Sequence, residues 1–264
     1  MNLITENRNK LKQKFISDNK IFGGWTSIGH PIITEIMAKS GVDFIGIDIE
    51  HSTINQEQSQ RIIASCHSEG VVCLPRIASH NMEMIKRLLD SGADGIIIPM
   101  VNSPEEVEDI VSWIKYTPLG SRSYGISRAQ GYGFDFDDYC STWNDTSIII
   151  VQIESVEGVE NIDKILANPH IDGAMIGPYD MSGSLGIPGK IDDPKVVEAG
   201  KKVIDACRKY SKSCGTQLVE PNSDNIKEAF STGFSFIVMA SDVFILWKWG
   251  ENTGSLIKES ILKK

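Results

Sequence analysis

Long apolar runs are missing from this 264-residue chain. No stretch approaches the roughly 18 consecutive apolar residues that a membrane-spanning helix needs. Its cysteines are few and unpatterned: Cys66, Cys73, Cys140, Cys207 and Cys214 include no C-x-x-C pair and no zinc-like spacing. Basic charge is short as well, with 26 Lys and Arg against 35 Asp and Glu and a net charge of -9. Nucleic acid and anionic membrane both demand a basic surface, so neither is expected as a partner. Absent too are a G-x-G-x-x-G after the first strand, a P-loop, a G-x-S-x-G elbow and an H-E-x-x-H pair. Dinucleotide, nucleotide, serine-elbow and zincin chemistries therefore have no support. The stretch from Met1 to Lys20 is polar, carries Arg8, Lys10, Lys12 and Lys14, and lacks the apolar core of a secretory leader. With an odd number of cysteines, this leads us to expect a cytoplasmic protein.

What is present is an alternation. Short apolar or β-branched runs stand at Ile21–Trp25, Phe44–Ile49, Val72–Arg76, Gly95–Pro99, Ile148–Ile153, Gly173–Ile176, Gly215–Leu218 and Ser235–Met239. They read as strands covered on both faces. Between them lie helical periodicities at Pro31–Lys39, Gln56–Ser68, Met82–Ser91, Pro104–Lys115, Gly158–Leu166, Pro194–Tyr210 and Asn222–Ser231, and a last helix is expected from about Ser241 to Lys263. Eight such units in a chain of this length predict an α/β fold, a (β/α)8 TIM barrel forming one domain over 1–264. An N-terminal helix would fall within 1–20 and a C-terminal helix within 241–264. A doubly wound open sheet is the competing arrangement.

The segment Thr117–Thr146 breaks this rhythm. Its glycines, with Arg122 and Arg128, suit a loop that holds a carboxylate or phosphate, while an ordered subunit-contact loop is the other reading. The tail from Ser241 carries Val243, Phe244, Ile245, Leu246, Trp247 and Trp249, then Leu256, Ile257, Ile261 and Leu262. One helix cannot bury so wide a girdle against its own barrel, so we expect a homo-oligomer.

In a parallel barrel all strand C-termini face one rim, and catalytic groups sit there. Here those ends read Asp48-Ile-Glu-His51, Pro75-Arg76, Gln152-Ile-Glu154 and Gly177-Pro-Tyr-Asp180. Glu154 and Asp180 close neighbouring strands, a pairing that suits a hard divalent cation keeping waters and open positions for substrate. Capping of the following helices is the alternative for both. Asp48, three positions before His51, is placed to accept a hydrogen bond from the imidazole and raise its basicity. Arg76 suits stabilisation of an enolate oxygen, or else a salt bridge to Glu50 or Asp48. No lysine ends a strand, which disfavours a Schiff base.

Together, Gly24-Trp25, Asp48-Ile-Glu-His51, Pro75-Arg76, Pro99-Met-Val101, Gly120-Ser-Arg122, Val151-Gln-Ile-Glu154 and Ile176-Gly-Pro-Tyr-Asp180-Met-Ser-Gly-Ser-Leu-Gly186 resemble the HpcH/HpaI family of class II, metal-dependent pyruvate aldolases. The resemblance runs from about Phe22 to Met239. It implies a phosphoenolpyruvate/pyruvate-type barrel in which Glu154 and Asp180 ligate Mg2+, Mn2+ or Co2+. His51 matches the base, with Asp48 as its partner, and Arg76 matches the pyruvate-binding arginine. Trp25, Gln152 and the amides of Tyr179 and Asp180 match the substrate-binding positions, although Tyr179 replaces a small residue of the pattern. The implied reaction cleaves or forms a 4-hydroxy-2-oxoacid from pyruvate and an aldehyde, without a covalent intermediate. The implied assembly is a hexamer, a trimer of dimers with the C-terminal helix swapped between subunits. A citrate-lyase β-subunit-like CoA-thioester lyase and a non-catalytic metabolite-binding barrel are the competing functions.

Overall fold

The computed structural model describes residues 3–17 and 20–262. Eight parallel strands close into a barrel in sequence order, β1 pairing with both β2 and β8. They are β1 (Ile21–Thr26), β2 (Phe44–Asp48), β3 (Val72–Arg76), β4 (Gly95–Ile98), β5 (Ile148–Ile153), β6 (Gly173–Ile176), β7 (Ser213–Leu218) and β8 (Phe236–Met239). The helices are α1 (Leu3–Ile16), α2 (Pro31–Ala38), α3 (Gln56–Ser68), α4 (Met82–Asp90), α5 (Pro104–Ile114), α6 (Phe136–Thr146), α7 (Val156–Glu160), α8 (Ile162–Leu166), α9 (Pro178–Ser184), α10 (Pro194–Lys209), α11 (Ser223–Thr232) and α12 (Asp242–Leu262). The closed barrel replaces the open-sheet alternative. The expected helix end at Lys263 lies outside the described residues. No helix among the described residues is long and apolar enough to cross a membrane.

Local chemistry sets many helix starts. Asn55 and Ser103 build reciprocal caps with Gln58 and Glu106, and Pro104 takes the first helical position of α5, where no amide partner is lost. Two apolar layers then form. One lies between strands and helices and includes Ile45, Ile63, Leu88, Ile110, Ile149 and Val203. The other fills the barrel itself. Because alternate strand residues share a face, Ile21 and Trp25 of β1, Phe44 of β2, Val72 and Leu74 of β3 and Ile148 and Ile150 of β5 all enter this interior cluster. Glycines make room for its large rings: a Cβ on Gly23 would overlap Phe44, on Gly46 Trp25, and on Gly215 Phe236.

Helix α1 shuts the N-terminal end of the barrel. Leu11 and Phe15 join the interior cluster, and Phe15 meets Phe236 edge-on at 5.5 Å. The same helix carries two cations inward. Arg8 reaches Asp94 at 3.4 Å and Thr146 at 3.0 Å, while Lys12 reaches Asp172 at 2.7 Å. Beneath them Lys115, 1% exposed, donates to the Asn144 carbonyl and the Ser147 hydroxyl. Burial, then the neighbouring Lys12, depress the Lys115 ammonium to about 7.

Candidate active site

The inward parity of the strands continues to their C-terminal ends and delivers the polar groups. Arg76 follows Val72 and Leu74 on one face of β3, Gln152 follows Ile148 and Ile150 on β5, and Glu154 comes one further rung along. The same alternation brings Asp48 in after Phe44 on β2. These groups open into a cavity of about 480 Å³, also lined by Trp25, His51, Tyr179 and Asp180. All the site residues expected from sequence therefore share one cavity at one rim. A second cavity of about 460 Å³ lies at the opposite end between α10 and α11, and no carboxylate of the described residues lines it.

Arg76 is the hub. Its guanidinium donates to Asp48 Oδ1 at 2.8 Å through Nη2 and at 3.3 Å through Nε, and its Nη1 lies 3.0 Å from Glu50 Oε2. The group stacks 5.0 Å from the centroid of the Trp25 ring, and Nη1 reaches Gln152 Oε1 at 3.5 Å. Gln152 in turn donates from Nε2 to Glu154 Oε2 at 3.3 Å, and the Met100 amide donates to Glu154 Oε1 at 2.7 Å. Met100 does so from a positive φ of 51°, a left-handed conformation that a side chain of this kind rarely adopts. Strain at the end of β4 is thus tied to a hydrogen bond at the site.

The electrostatics follow from these contacts. Burial pushes the Asp48 carboxyl up, but the Arg76 guanidinium and the His51 amide outweigh it and leave the group below its ordinary value. Burial raises the Glu50 carboxyl despite Arg76 beside it. Glu154 is only 3% exposed, and burial first, with the Glu50 and Asp180 charges adding to it, raises its carboxyl to about 7. A dehydrated carboxylate facing two further carboxylates is a place where a cation relieves repulsion.

The donor set also tells which cation fits. Among the described residues no group of three or more His, Cys, Asp and Glu converges to cage a metal. Glu154 and Asp180 offer oxygen donors in an open cavity, the arrangement of a hard divalent ion that keeps waters and substrate in its shell. Neither residue is an N-cap: Ser155 caps α7 and Gly177 precedes α9, with Asp180 inside its first turn.

Three expectations need correction. Asp48 accepts from the main-chain N–H of His51 at 3.0 Å, not from its ring. The nearest carboxylate to the exposed imidazole is Glu50, 3.8 Å from Nε2. Arg122 and Arg128 hold no rim ligand, because the connection after α5 returns to the barrel's N-terminal end. Arg122 is buried against Tyr116, Tyr139 and Trp143 and pairs with Asp90 at 3.0 Å, while Arg128 donates to His67 Nδ1 at 3.2 Å. The segment itself folds into a 3-10 turn at Arg128–Gly133 and then α6.

Asp242 escaped the sequence reading, whereas Met100 and Glu50 entered it within matched motifs but without a site role, Glu50 only as an alternative salt-bridge partner for Arg76. Asp242 accepts from Thr26 Oγ1 and the Ile28 amide at 2.8 and 2.9 Å, tying the start of α12 to the end of β1. The one available signal for it was an acidic residue three positions past the end of β8, at the start of α12.

Residues 22–248 match the model of the HpcH/HpaI aldolase/citrate lyase family. A hydroxypyruvate/pyruvate aldolase of Roseobacter denitrificans is 30% identical over 253 residues, covering 95% of this chain and 98% of that protein. A 2-keto-3-deoxy-L-rhamnonate aldolase of Klebsiella pneumoniae is 33% identical over 242 residues, covering 90% and 88%. In three dimensions, a HpcH/HpaI aldolase/citrate lyase family protein from Burkholderia cenocepacia superposes with a TM-score of 0.88 at 26% identity, covering 95% of this chain and 99% of that one. The family is generally dependent on a divalent metal. A match of this extent settles membership: the chain belongs to the HpcH/HpaI aldolase/citrate lyase family and is a class II aldolase, a carbon–carbon lyase.

Proposed function

We infer that the enzyme cleaves or forms a 4-hydroxy-2-oxoacid, with pyruvate and an aldehyde as the other side of the reaction. The observation that carries this reading is the convergence of Arg76, Gln152, Glu154, Asp180 and His51 on one rim cavity. Glu154 and Asp180 would hold a divalent cation, Mg2+, Mn2+ or Co2+, which supplies Lewis-acid polarisation of the keto group when bound.

The remaining work falls to the chain's own residues. The first-turn amides of Tyr179 and Asp180 have no acceptor inside α9 and face the 2-oxoacid carboxylate. Arg76, kept forked by Asp48 and Glu50, sets its fixed charge against the oxygen that becomes an enolate. Trp25 covers the guanidinium and holds its plane. His51, exposed at the rim, takes the proton from the C4 hydroxyl through a water. The C3–C4 bond then breaks, its electrons enter the enolate, and C3 is reprotonated. Gln152 bridges Arg76 to Glu154 and keeps both aimed at the same substrate atoms.

The deciding experiment measures pyruvate release from a panel of 4-hydroxy-2-oxoacids with added divalent cations, beside the corresponding CoA esters. Release from free acids that stops after chelation is expected, with no adduct trapped by borohydride. Undiminished turnover after exhaustive chelation would sink the reading, and turnover of CoA esters alone would point to the thioester lyase.

The same inference extends to assembly. Helix α12 leaves Trp247 and Trp249 50% and 66% exposed, an apolar face suited to a second copy of the chain and to swapping between subunits of a hexamer. Sedimentation of the intact chain tests this, and a monomer at micromolar concentration would refute it.

A further inference from the structure

The walls of the rim cavity are divided by sector. Acid–base groups come from β2 and β3, from the residues after β2 and β5, and from α9: Asp48, His51, Arg76, Glu154 and Asp180. Across the closed barrel, β7 and the connection after it contribute Gln217 and Val219, and the connection after β8 with the first turn of α12 contributes Ser241, Val243 and Phe244, none of them charged. In an eight-strand barrel closed in sequence order, β7 stands opposite β3, so this uncharged wall faces Arg76 across the mouth.

The charges are as uneven as the walls. Among the described residues lining the cavity Arg76 is the single lysine or arginine, set against the carboxylates of Asp48, Glu154 and Asp180. Its fork is already taken by Asp48, Glu50 and Gln152. The nearest lysine along α12, Lys248, does not line the cavity and is committed to Glu220 at 2.7 Å and Glu251 at 3.0 Å. One divalent cation and the 2-oxoacid carboxylate together leave the site without a free positive charge. A second substrate carboxylate would meet a wall without a countercharge and a surplus of like charge, which is costly where water is partly excluded.

We propose that the acceptor half of this site selects uncharged aldehydes with an apolar chain and disfavours aldehydes that carry a carboxylate, with Val219 and Val243 as the selecting residues. The proposal rests on the aldolase reading above and adds the class of acceptor to it. Tyr179, at the rim of the same cavity, narrows the entrance with an uncharged ring.

The test compares butanal with succinic semialdehyde, which share a four-carbon chain and differ in a terminal carboxylate, as acceptors for pyruvate with Mg2+ or Mn2+ present. The expected kcat/KM favours butanal at least tenfold, and the ratio narrows as salt is raised, because screening weakens the repulsion. Val219→Lys should move the ratio at least tenfold toward succinic semialdehyde, and Val243→Arg serves as the second variant if the first does not fold. Exchange of the pyruvate methyl protons, which involves no acceptor, reports whether the enolate half of each variant is intact. Equal or better use of succinic semialdehyde by the unaltered enzyme would overturn the proposal alone. So would an unchanged ratio in an exchange-competent variant. Absence of proton exchange with any divalent cation would overturn the aldolase reading and the proposal with it.

Discussion

Glu154 keeps its place because its neighbour has no side chain. A Cβ on Gly177 would overlap Glu154 Oε2, and the gap cannot widen without moving the end of β6. Gly177→Ala should therefore displace the carboxylate while leaving the barrel folded. Misplacements of about an ångström cost on the order of a hundredfold in rate, so turnover should fall by about that factor with an unchanged far-UV spectrum. Full activity in this variant would show that Glu154 is not held where the chemistry needs it. Arg76 offers a second test at this scale. An ammonium keeps the charge but cannot fork between Asp48 and Glu50 while also sitting over the Trp25 ring. Arg76→Lys should slow exchange of the pyruvate methyl protons by about two to three powers of ten, the usual weight of one oxyanion-stabilising donor. Exchange at the unaltered rate would remove the arginine from enolate formation.

At the scale of elements, the eight strands were legible because each is a short β-branched or apolar run, and several boundaries, such as Val72–Arg76 and Ile148–Ile153, agree to the residue. The helix α9 was not, since Pro178-Tyr-Asp-Met-Ser-Gly-Ser184 has a glycine and too few turns for any periodicity to register. Helix α6 was hidden in the same way: of its polar sequence only Tyr139, Trp143 and Thr146 are buried. The rim residues could be listed from strand ends, but their partnerships could not. Which carboxylate takes the His51 amide and which approaches its ring is decided by a turn of three residues, not by spacing.

Charge burial on α1 and just past α5 was equally unreadable, because Arg8 finds Asp94 and Lys115 finds Ser147 only after the barrel closes. Lys115 yields a pH prediction. Its ammonium is depressed from 10.5 to about 7 in the folded chain, so below pH 7 both folded and unfolded forms carry the proton and the burial penalty is complete. Between about pH 7 and 10.5 the folded form releases it while the unfolded form keeps it, and stability rises with pH by up to ~1.4 kcal/mol per unit. Urea unfolding of the unaltered chain and of Lys115→Met should show this rise in the first and its loss in the second. Parallel pH profiles would rule out a buried ammonium as the cause.

The whole molecule separates its tasks end from end. The N-terminal end is closed by α1 and by buried ion pairs, whereas the other end is open and carries the candidate chemistry. A large apolar surface lies on the outer face of α12, where Ile245, Trp249, Leu256 and Ile257 are more than half exposed. Replacing Trp249 and Ile257 together with Asp should shift the sedimentation coefficient of the proposed assembly toward that of one 29.1 kDa chain. An unchanged coefficient would place the contact elsewhere on the molecule.

The division of the cavity walls has a consequence for how such an enzyme changes over generations. Of the groups proposed to make the enolate, Arg76 and Gln152 stand on strands and Glu154 directly follows one, where the barrel's own packing braces them, whereas the proposed acceptor wall is borne mainly on the connections after β7 and β8 and the first turn of α12. Substitutions in those connections alter which aldehyde is admitted and leave the proton-moving groups untouched. Acceptor choice is thereby open to gradual drift, one wall residue at a time, while selection on the first half of the reaction stays constant.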